Sequence, residues 1–281
     1  MWVSDKWTDY ELIDCSGGEK LERWGDHILV RPDPQVIWDT PRRHQGWKKP
    51  DAHYKTGAWK NHSVPASWRI GYGKLIFNVK LMNSKQTGIF PEQAENWDFI
   101  IKRVSAKKRG FKVLNLFAYT GAATLACSLA GAAVCHVDAA KGMVAWAREN
   151  AAASGLAHRP IRWIVDDCRK FVEREIRRGN RYDAIIMDPP SYGRGSSGEL
   201  WKLEDNLFDF VKLCAGVLSD KPDFVIINTY TTGLSSAVLT YISQTVFGKR
   251  FGGKSQSAEL GLPVTESGLV LPCGATCRWT A

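Results

Sequence analysis

The chain has 281 residues, of which 44% are hydrophobic, so it can bury a large core and a disorder-dominated chain is excluded. Its net charge of +9 favours an anionic partner such as RNA, with an ordinary basic enzyme as the alternative. No apolar run is long enough to cross a bilayer, and the charged, aromatic residues 1–10 are not a secretory signal.

The seven cysteines are scattered through apolar segments, a pattern typical of reduced thiols in a cytoplasmic protein. Cys273 and Cys277 are the one close pair, and a lone C-x-x-x-C lacks the second half of a zinc site. We therefore expect a cytoplasmic protein that binds no metal and no membrane.

Residues 1–85 predict a small β-rich N-terminal region, because short apolar segments there are broken by Gly, Pro, Asp and His. Its predicted strands include 24–31 and 74–82. Between them, residues 44–62 are basic and aromatic without periodicity. Such a segment could stack bases and neutralise phosphates, or it could be a loop whose tryptophans pack on the core.

From residue 91 onward, helices and strands alternate. The predicted helices are 91–103, 121–130, 141–154, 169–178, 206–218 and 235–246. The predicted strands are 112–117, 134–138, 161–165, 182–187 and 224–228, followed by two β segments within 258–279. Such alternation requires a mostly parallel sheet with right-handed crossovers. Residues 86–281 are thus predicted to form one doubly wound α/β domain.

The strand at 112–117 leads into Thr120-Gly121, a turn that lets the backbone approach a ligand. Asp138 ends the next strand, where a carboxylate can accept both hydroxyls of a ribose. This combination predicts a cofactor that contains adenosine. A dinucleotide site would have more glycines than Gly121, which makes a nicotinamide-dependent oxidoreductase the less favoured alternative.

A second buried strand delivers Asp188-Pro189-Pro190 to the same edge of the sheet. The prolines stiffen the backbone, and Tyr192 lies close enough in sequence to stack on a planar ring. Acceptors that face an amine or a ring nitrogen beside an adenosine cofactor suit methyl transfer from S-adenosylmethionine. The following residues, 193–198, are typical of a flexible loop that closes over a substrate.

With these motifs the chain resembles class I S-adenosylmethionine-dependent methyltransferases. It is most similar to the bacterial group that contains the 23S ribosomal RNA methyltransferases acting on cytosine C5 and guanine N7. The resemblance covers roughly the last two thirds of the chain. It rests on Gly88-Ile89-Phe90-Pro91-Glu92-Gln93, Asn115-Leu116-Phe117-Ala118-Tyr119-Thr120-Gly121, Asp138, Asp166-Asp167 and Asp188-Pro189-Pro190.

This resemblance implies a Rossmann-like fold with a seven-stranded, mostly parallel sheet that closes with an antiparallel C-terminal hairpin. It implies S-adenosylmethionine as the cofactor, with a carboxylate after the third strand near the adenine amine and a lid over the ligand. One of Asp166 and Asp167 could instead cap the next helix. The expected cofactor-binding residues are Phe90, Gln93, Asn115, Phe117, Tyr119, Thr120, Gly121, Asp138, Ala139, Asp166, Asp167 and Asp188.

The expected catalytic residues are Asp188, Pro189, Pro190 and Tyr192, which hold the acceptor in line with the methyl group. Relatives that methylate cytosine C5 need a cysteine thiolate after the fifth core strand, and here residues 229–231 are Thr-Tyr-Thr. We therefore expect methylation of a base nitrogen in RNA, most of all ribosomal RNA. A small-molecule methyltransferase and a non-catalytic RNA-binding module are the alternatives, and a homodimer stays open.

Overall fold

The computed structural model describes residues 1–60, 63–108, 110–194, 200–231 and 233–281. The chain divides into two compact units. The N-terminal unit contains Met1–Glu95 and Leu260–Cys273, and the sheet unit contains Asn96–Glu259 and Gly274–Ala281. The predicted boundary after residue 85 falls inside the first segment of the N-terminal unit. The segment Leu260–Cys273, which the prediction gave to the second domain, belongs to the N-terminal unit.

The N-terminal unit is rich in short strands, as predicted. Its strands are β1 (Trp2–Val3), β2 (Tyr10–Ser16), β3 (Glu19–Trp24), β4 (His27–Pro32), β5 (Ala52–Lys55), β6 (Ala58–Lys60), β7 (Trp68–Tyr72) and β8 (Leu75–Val79). Strands β2 to β6 form one sheet in sequence order, and β7 pairs with β8 in a hairpin. The predicted strand 24–31 is two strands, because Gly25 turns the chain at a φ of 64°.

A buried charge network holds the N-terminal unit together. Glu22 is fully buried, and its two carboxylate oxygens accept hydrogen bonds of 2.6 and 2.7 Å from the Arg31 guanidinium. The Tyr10 hydroxyl donates to the same carboxylate at 2.8 Å. Burial alone would raise the pKa of Glu22, but the charges of Arg31 and Lys20 lower it to about 2. The carboxylate therefore stays ionised inside the unit.

The second half of the chain has the predicted alternation of helices and strands. The helices are α1 (Ala94–Ser105), α2 (Ala122–Leu129), α3 (Lys141–Ala153), α4 (Cys168–Arg177), α5 (Leu203–Cys214), α6 (Ser236–Ser243) and α7 (Lys249–Phe251). The strands are β9 (Lys112–Leu116), β10 (Ala133–Asp138), β11 (Ile161–Val165), β12 (Ala184–Met187), β13 (Tyr192–Arg194), β14 (Leu200–Lys202), β15 (Phe224–Thr229), β16 (Lys254–Pro263) and β17 (Val270–Thr280).

The main sheet has the order β1-β16-β17-β15-β12-β9-β10-β11. Strands β15, β12, β9, β10 and β11 are parallel neighbours, and β17 runs antiparallel to β15. The Rossmann-like fold with its closing C-terminal strands is thus confirmed, and the two-residue β1 adds an eighth strand. Because β15, β12, β9, β10 and β11 are parallel, their carboxyl ends meet at one edge, which we call the carboxyl edge.

The central strands are covered on both faces. All four residues of β12 and all six of β15 are buried, as expected for parallel strands between two layers of helices. Phe171 of α4 and Phe210 of α5 contribute large buried rings to the same apolar cluster. This packing fixes the strands and therefore the positions of the side chains at the carboxyl edge. Among the described helices, none is both long and apolar enough to cross a membrane.

Candidate active site

The loop that follows β9 is held in an unusual conformation. Phe117 and Tyr119 have φ values of 54° and 49°, in the left-handed region that is unfavourable for residues with a Cβ atom. The backbone N–H of Phe117 donates to Cys168 Sγ at 3.3 Å, and that of Ala118 donates to the Val137 carbonyl at 3.0 Å. The N–H of Tyr119 donates to Asp138 at 2.8 Å. Three consecutive donors therefore fix the loop.

Gly121 is required where this loop enters α2. Its φ is 89°, and a Cβ atom at this position would lie 2.9 Å from the Cβ of Ala147 in α3. The carbonyl of the preceding Thr120 accepts a hydrogen bond of 2.9 Å from buried Asn150 of α3. The glycine thus permits both the turn and the close approach of α3.

Asp138 stands at the end of β10, as predicted. Its Oδ2 accepts from Tyr119 N–H and its Oδ1 accepts from Ala140 N–H, both at 2.8 Å. Burial raises the pKa of Asp138, and these two N–H groups lower it, so that the net pKa lies above the ordinary value. Each oxygen keeps a second lone pair, so the carboxylate can still accept hydrogen bonds from a ribose. Ala139 is exposed beside it.

The two acidic residues after β11 have different local roles. Asp167 caps α4, with its carboxylate accepting from Lys170 N–H at 2.9 Å. Asp166 forms an ion pair with Arg174, and its N–H donates to the Asp138 carbonyl at 3.0 Å. The structure therefore identifies the capping residue, which the sequence left open. A contact between Asp166 and an adenine amine stays a prediction.

The Asp188-Pro189-Pro190 segment follows β12 at the same edge. The N–H of Asp188 donates to the Leu116 carbonyl at 3.4 Å, beside the start of the loop after β9. Pro189 is buried, whereas Asp188 is half-buried. The indole N–H of Trp201 donates to the Pro190 carbonyl at 2.6 Å. Acceptor atoms of this segment are thus positioned rigidly near the loop.

Tyr192 extends from this segment in a hairpin that the sequence did not predict. It is 62% exposed and pairs with Lys202 across β13 and β14. Trp201 of the hairpin packs against Phe117 and Phe210, with ring centroids 5.7 Å apart in each case. The hairpin is therefore braced against the loop after β9. Residues 195–198 of the predicted closing loop lie outside the described residues.

Asn115 lies beneath the site. It is buried and donates to the Thr124 hydroxyl at 2.9 Å, and Thr124 is in turn hydrogen-bonded to His136 Nδ1 at 3.0 Å. Burial and the charge of Arg148 lower the pKa of His136 to about 3, so the imidazole is neutral. This polar chain joins β9, α2 and β10. A direct contact of Asn115 with the cofactor stays a prediction.

Phe90 and Gln93 belong to the N-terminal unit by the division of the chain. Phe90 precedes the short 3₁₀ helix Pro91–Gln93, in which Gln93 is buried. Their predicted role as a lid stays a prediction.

The cysteines of the sheet unit are not arranged as nucleophiles. All seven cysteines of the chain are free. Cys168 is buried at the carboxyl edge, and burial raises its pKa well above the ordinary value. Burial also raises the pKa of Cys214 in α5. Neither thiol is deprotonated at neutral pH. Cys168 Sγ, at the carboxyl edge, also accepts a hydrogen bond from Phe117 N–H in the loop after β9.

This fold and this edge define the class: a Rossmann-like sheet with an acidic residue at the end of β10 and an Asp-Pro-Pro segment after β12 is typical of methyltransferases that use S-adenosylmethionine. The chain belongs to the S-adenosylmethionine-dependent methyltransferase family, whose profile matches residues 17–205. Its cofactor is accordingly S-adenosylmethionine, and the enzyme class predicted from the sequence is confirmed.

Solved structures agree with this assignment. The SAM-dependent methyltransferase from Agrobacterium tumefaciens is 34% identical and superposes with a TM-score of 0.92 over 99% of this chain and 93% of that one. A structure from Streptococcus mutans, assigned to the same class, is 20% identical with a TM-score of 0.77 over 99% and 76% of the two chains. The latter similarity concerns the fold alone.

The names of curated relatives include a substrate, ribosomal RNA. The ribosomal RNA large subunit methyltransferase K/L of Shewanella oneidensis is 32% identical over 209 residues, which is 69% of this chain and 27% of that protein. The enzyme of the same name from Colwellia psychrerythraea is 27% identical over 177 residues, or 63% of this chain and 23% of the relative. The matches thus span about a quarter of the length of these relatives.

Proposed function

We propose that this chain transfers a methyl group from S-adenosylmethionine to a nitrogen of an RNA base. The observation that carries the proposal is the carboxyl edge, where Asp138 and Asp188 flank a loop whose backbone is held by three hydrogen bonds. The names of the curated relatives, which refer to ribosomal RNA, and the net charge of +9 support RNA as the substrate.

The residues at the carboxyl edge fit the cofactor. The carboxylate of Asp138 would accept the ribose hydroxyls, and Gly121 lets the backbone after β9 come close to the ligand. Phe117, Tyr119, Thr120, Ala139 and Asp166 would complete this cradle. When bound, S-adenosylmethionine supplies a methyl group on a sulfonium, which is already a good leaving group. The protein's main task is therefore alignment rather than acid or base catalysis.

Asp188 would accept a hydrogen bond from the target amine or from the ammonium of the cofactor. Either contact orients the reacting atoms, and the rigid prolines of the segment keep the acceptor in place. Tyr192 would stack on the target base. Because a base paired in a helix is out of reach, the target must be unpaired or flipped out.

A nitrogen acceptor is favoured over carbon C5. Attack on C5 of cytosine requires a thiolate that adds to the base. The thiol of Cys168 at this edge is buried with a raised pKa, and the residues directly after β15, 230–235, include no cysteine. A cytoplasmic location, predicted from the cysteine pattern, is consistent with an RNA substrate.

The test is methyl transfer to bacterial ribosomal RNA isolated from a strain that lacks this gene. With Asp188→Ala, we expect the rate to fall about a hundredfold because the reacting atoms are misaligned. Affinity for S-adenosylhomocysteine changes little if Asp188 holds the target amine, and falls if it holds the ammonium of the cofactor. Scintillation counting of a labelled methyl group measures the rate, and calorimetry measures the affinity. An unchanged rate would refute the role of Asp188. Transfer to small molecules without any transfer to RNA would refute the substrate.

A further inference from the structure

The positive charge of this chain is unevenly distributed. The sheet unit has 24 Lys and Arg residues and 16 Asp and Glu residues, whereas the N-terminal unit has 14 basic and 13 acidic residues. The N-terminal unit also pairs its charges internally, for example Arg42 and His53 with Glu19. The larger excess of positive charge therefore lies on the sheet unit, although segment 44–62 itself has four lysines and one aspartate.

Five exposed arginines of the sheet unit lie close together in sequence, around the carboxyl end of α4 and the amino ends of two strands. They are Arg159 and Arg162 at the start of β11, Arg177 and Arg178 at the end of α4, and Arg181 before β12. We call this group the arginine edge. Because helix α4 returns the chain from the carboxyl edge to the start of β12, the arginine edge lies at the amino ends of the strands.

A buried carboxylate orients two of these arginines. Glu175 is fully buried, and its oxygens lie 3.5 Å from Arg162 Nη1 and 3.3 Å from Arg178 Nη1. The Tyr182 hydroxyl and the Asn180 amide donate to the same carboxylate at 2.6 and 2.9 Å. The two arginine side chains nevertheless remain 53% and 58% exposed. Their outer N–H groups are therefore held side by side and face solvent.

A purely local role does not account for the whole group. Cations in the last turn of a helix interact favourably with its dipole, which accounts for Arg177 and Arg178. Arg159, Arg162 and Arg181 lie outside the helix. For Arg159 and Arg177, no ion pair or side-chain hydrogen bond occurs within the part of the chain that the structure describes. The repulsion between such neighbours is relieved when an anion binds.

We propose that the arginine edge binds the phosphate backbone of the RNA substrate, away from the methylated nucleotide. Guanidinium groups bind phosphate oxygens in a forked geometry, and side chains that are already oriented lose less entropy on binding. The inference rests on the proposed function. It adds that the RNA must extend beyond the methylated nucleotide, because strands of five residues separate the carboxyl edge from the arginine edge by about 15 Å.

The test compares Arg159→Gln/Arg177→Gln/Arg181→Gln with wild type, using purified bacterial ribosomal RNA and short oligonucleotides from its nuclease digest. None of these three arginines forms an ion pair within the described residues; Arg181 donates to the neighbouring Asn180 carbonyl at 3.0 Å, and circular dichroism and denaturation of the variant check that the fold is kept. Each lost phosphate contact lowers the slope of log K against log salt by about 0.7–0.9. We therefore expect a slope smaller by about 2–3 with intact RNA, a roughly tenfold loss of affinity, and little change with the short oligonucleotides.

The matched control is Lys212→Gln/Lys249→Gln/Lys254→Gln, which removes the same charge from other exposed positions of the sheet unit. An equal loss in both triple variants would overturn the proposal, because it would reflect net charge alone. An equal loss on long and short RNA would overturn it too. If wild type itself neither binds nor methylates RNA, the proposed function fails first, and the two failures are thereby distinguished.

Discussion

A fully buried carboxylate in the N-terminal unit, Glu22, differs in its partners and its pKa from a half-buried one in the sheet unit, Asp138. Glu22 of the N-terminal unit is saturated by Arg31 and Tyr10, and its pKa is lowered to about 2. Within the described residues, Asp138 of the sheet unit accepts hydrogen bonds from two backbone N–H groups, and burial leaves its pKa raised. The first carboxylate is fully buried and stabilises the fold. The second is partly exposed and keeps lone pairs, as its proposed role in binding the ribose requires.

The largest effect is expected when Glu22 is removed. Glu22→Ala leaves Arg31 buried without its counter-ion, which should lower the free energy of unfolding by about 3–5 kcal/mol. Chemical denaturation of the whole chain measures the change. The matched control is Glu11→Ala, because the Glu11–Arg23 pair is about one-third exposed and should contribute less than about 1 kcal/mol. Equal losses in the two variants would contradict the structural role of Glu22.

Asp138→Ala tests the other half of the comparison. It removes the acceptor proposed for the ribose hydroxyls and the anchor of Tyr119. Binding of S-adenosylmethionine should therefore weaken by about 2–3 kcal/mol, which is roughly 30-fold to 150-fold in Kd. Isothermal titration calorimetry checks this value. Asp183→Ala is the control, because Asp183 accepts from Lys112 N–H at the other end of β9. Binding that survives in Asp138→Ala would remove Asp138 from the site.

Gly121→Ala should destabilise the sheet unit by about 1–3 kcal/mol, because it combines a left-handed φ with a clash against Ala147. Thermal or chemical denaturation measures this loss. Gly131→Ala carries a similar φ of 102° but meets open space, so it should cost only about 1 kcal/mol. If the close contact with α3 matters, Ala147→Gly should partly restore Gly121→Ala. A double variant no better than the single one would show that the φ alone is responsible.

The smallest expected effect is a pH dependence. Because the pKa of Asp138 is raised, the carboxyl takes up a proton at a higher pH than an exposed aspartate. Affinity for S-adenosylhomocysteine should therefore begin to fall above the ordinary aspartate pKa as the pH is lowered. The free energy of unfolding changes in the opposite direction. Between the ordinary aspartate pKa and the raised pKa of Asp138, it decreases as the pH rises. A binding curve that is flat until the ordinary pKa would contradict this assignment.

The sheet and its edge could be predicted because buried parallel strands leave a plain pattern in the sequence. Strands such as β11 were located to the residue, and Asp138 and Asp188 were placed at strand ends by that pattern alone. The break of segment 24–31 was missed, because Gly25 within an alternating run gives only a weak turn signal. The choice between Asp166 and Asp167 as the helix cap depended on geometry that spacing does not fix.

Other parts of the site have no local signal at all. The support of the loop after β9 by Cys168 and Asn150 joins residues that are far apart in sequence. The brace between Trp201 and Phe117 also depends on packing across the fold. A buried asparagine inside α3 is the one hint that sequence offered, since a polar side chain on the apolar face of a helix needs a partner.

The most direct test of the account is mass spectrometry of nucleosides from ribosomal RNA incubated with the purified protein and a deuterated methyl donor. Fragmentation distinguishes a methyl group on nitrogen from one on carbon. The account predicts a single labelled nucleoside that carries the methyl group on a base nitrogen and that is lost with Asp188→Ala. A label on C5 of a pyrimidine, or no label in RNA at all, would contradict it.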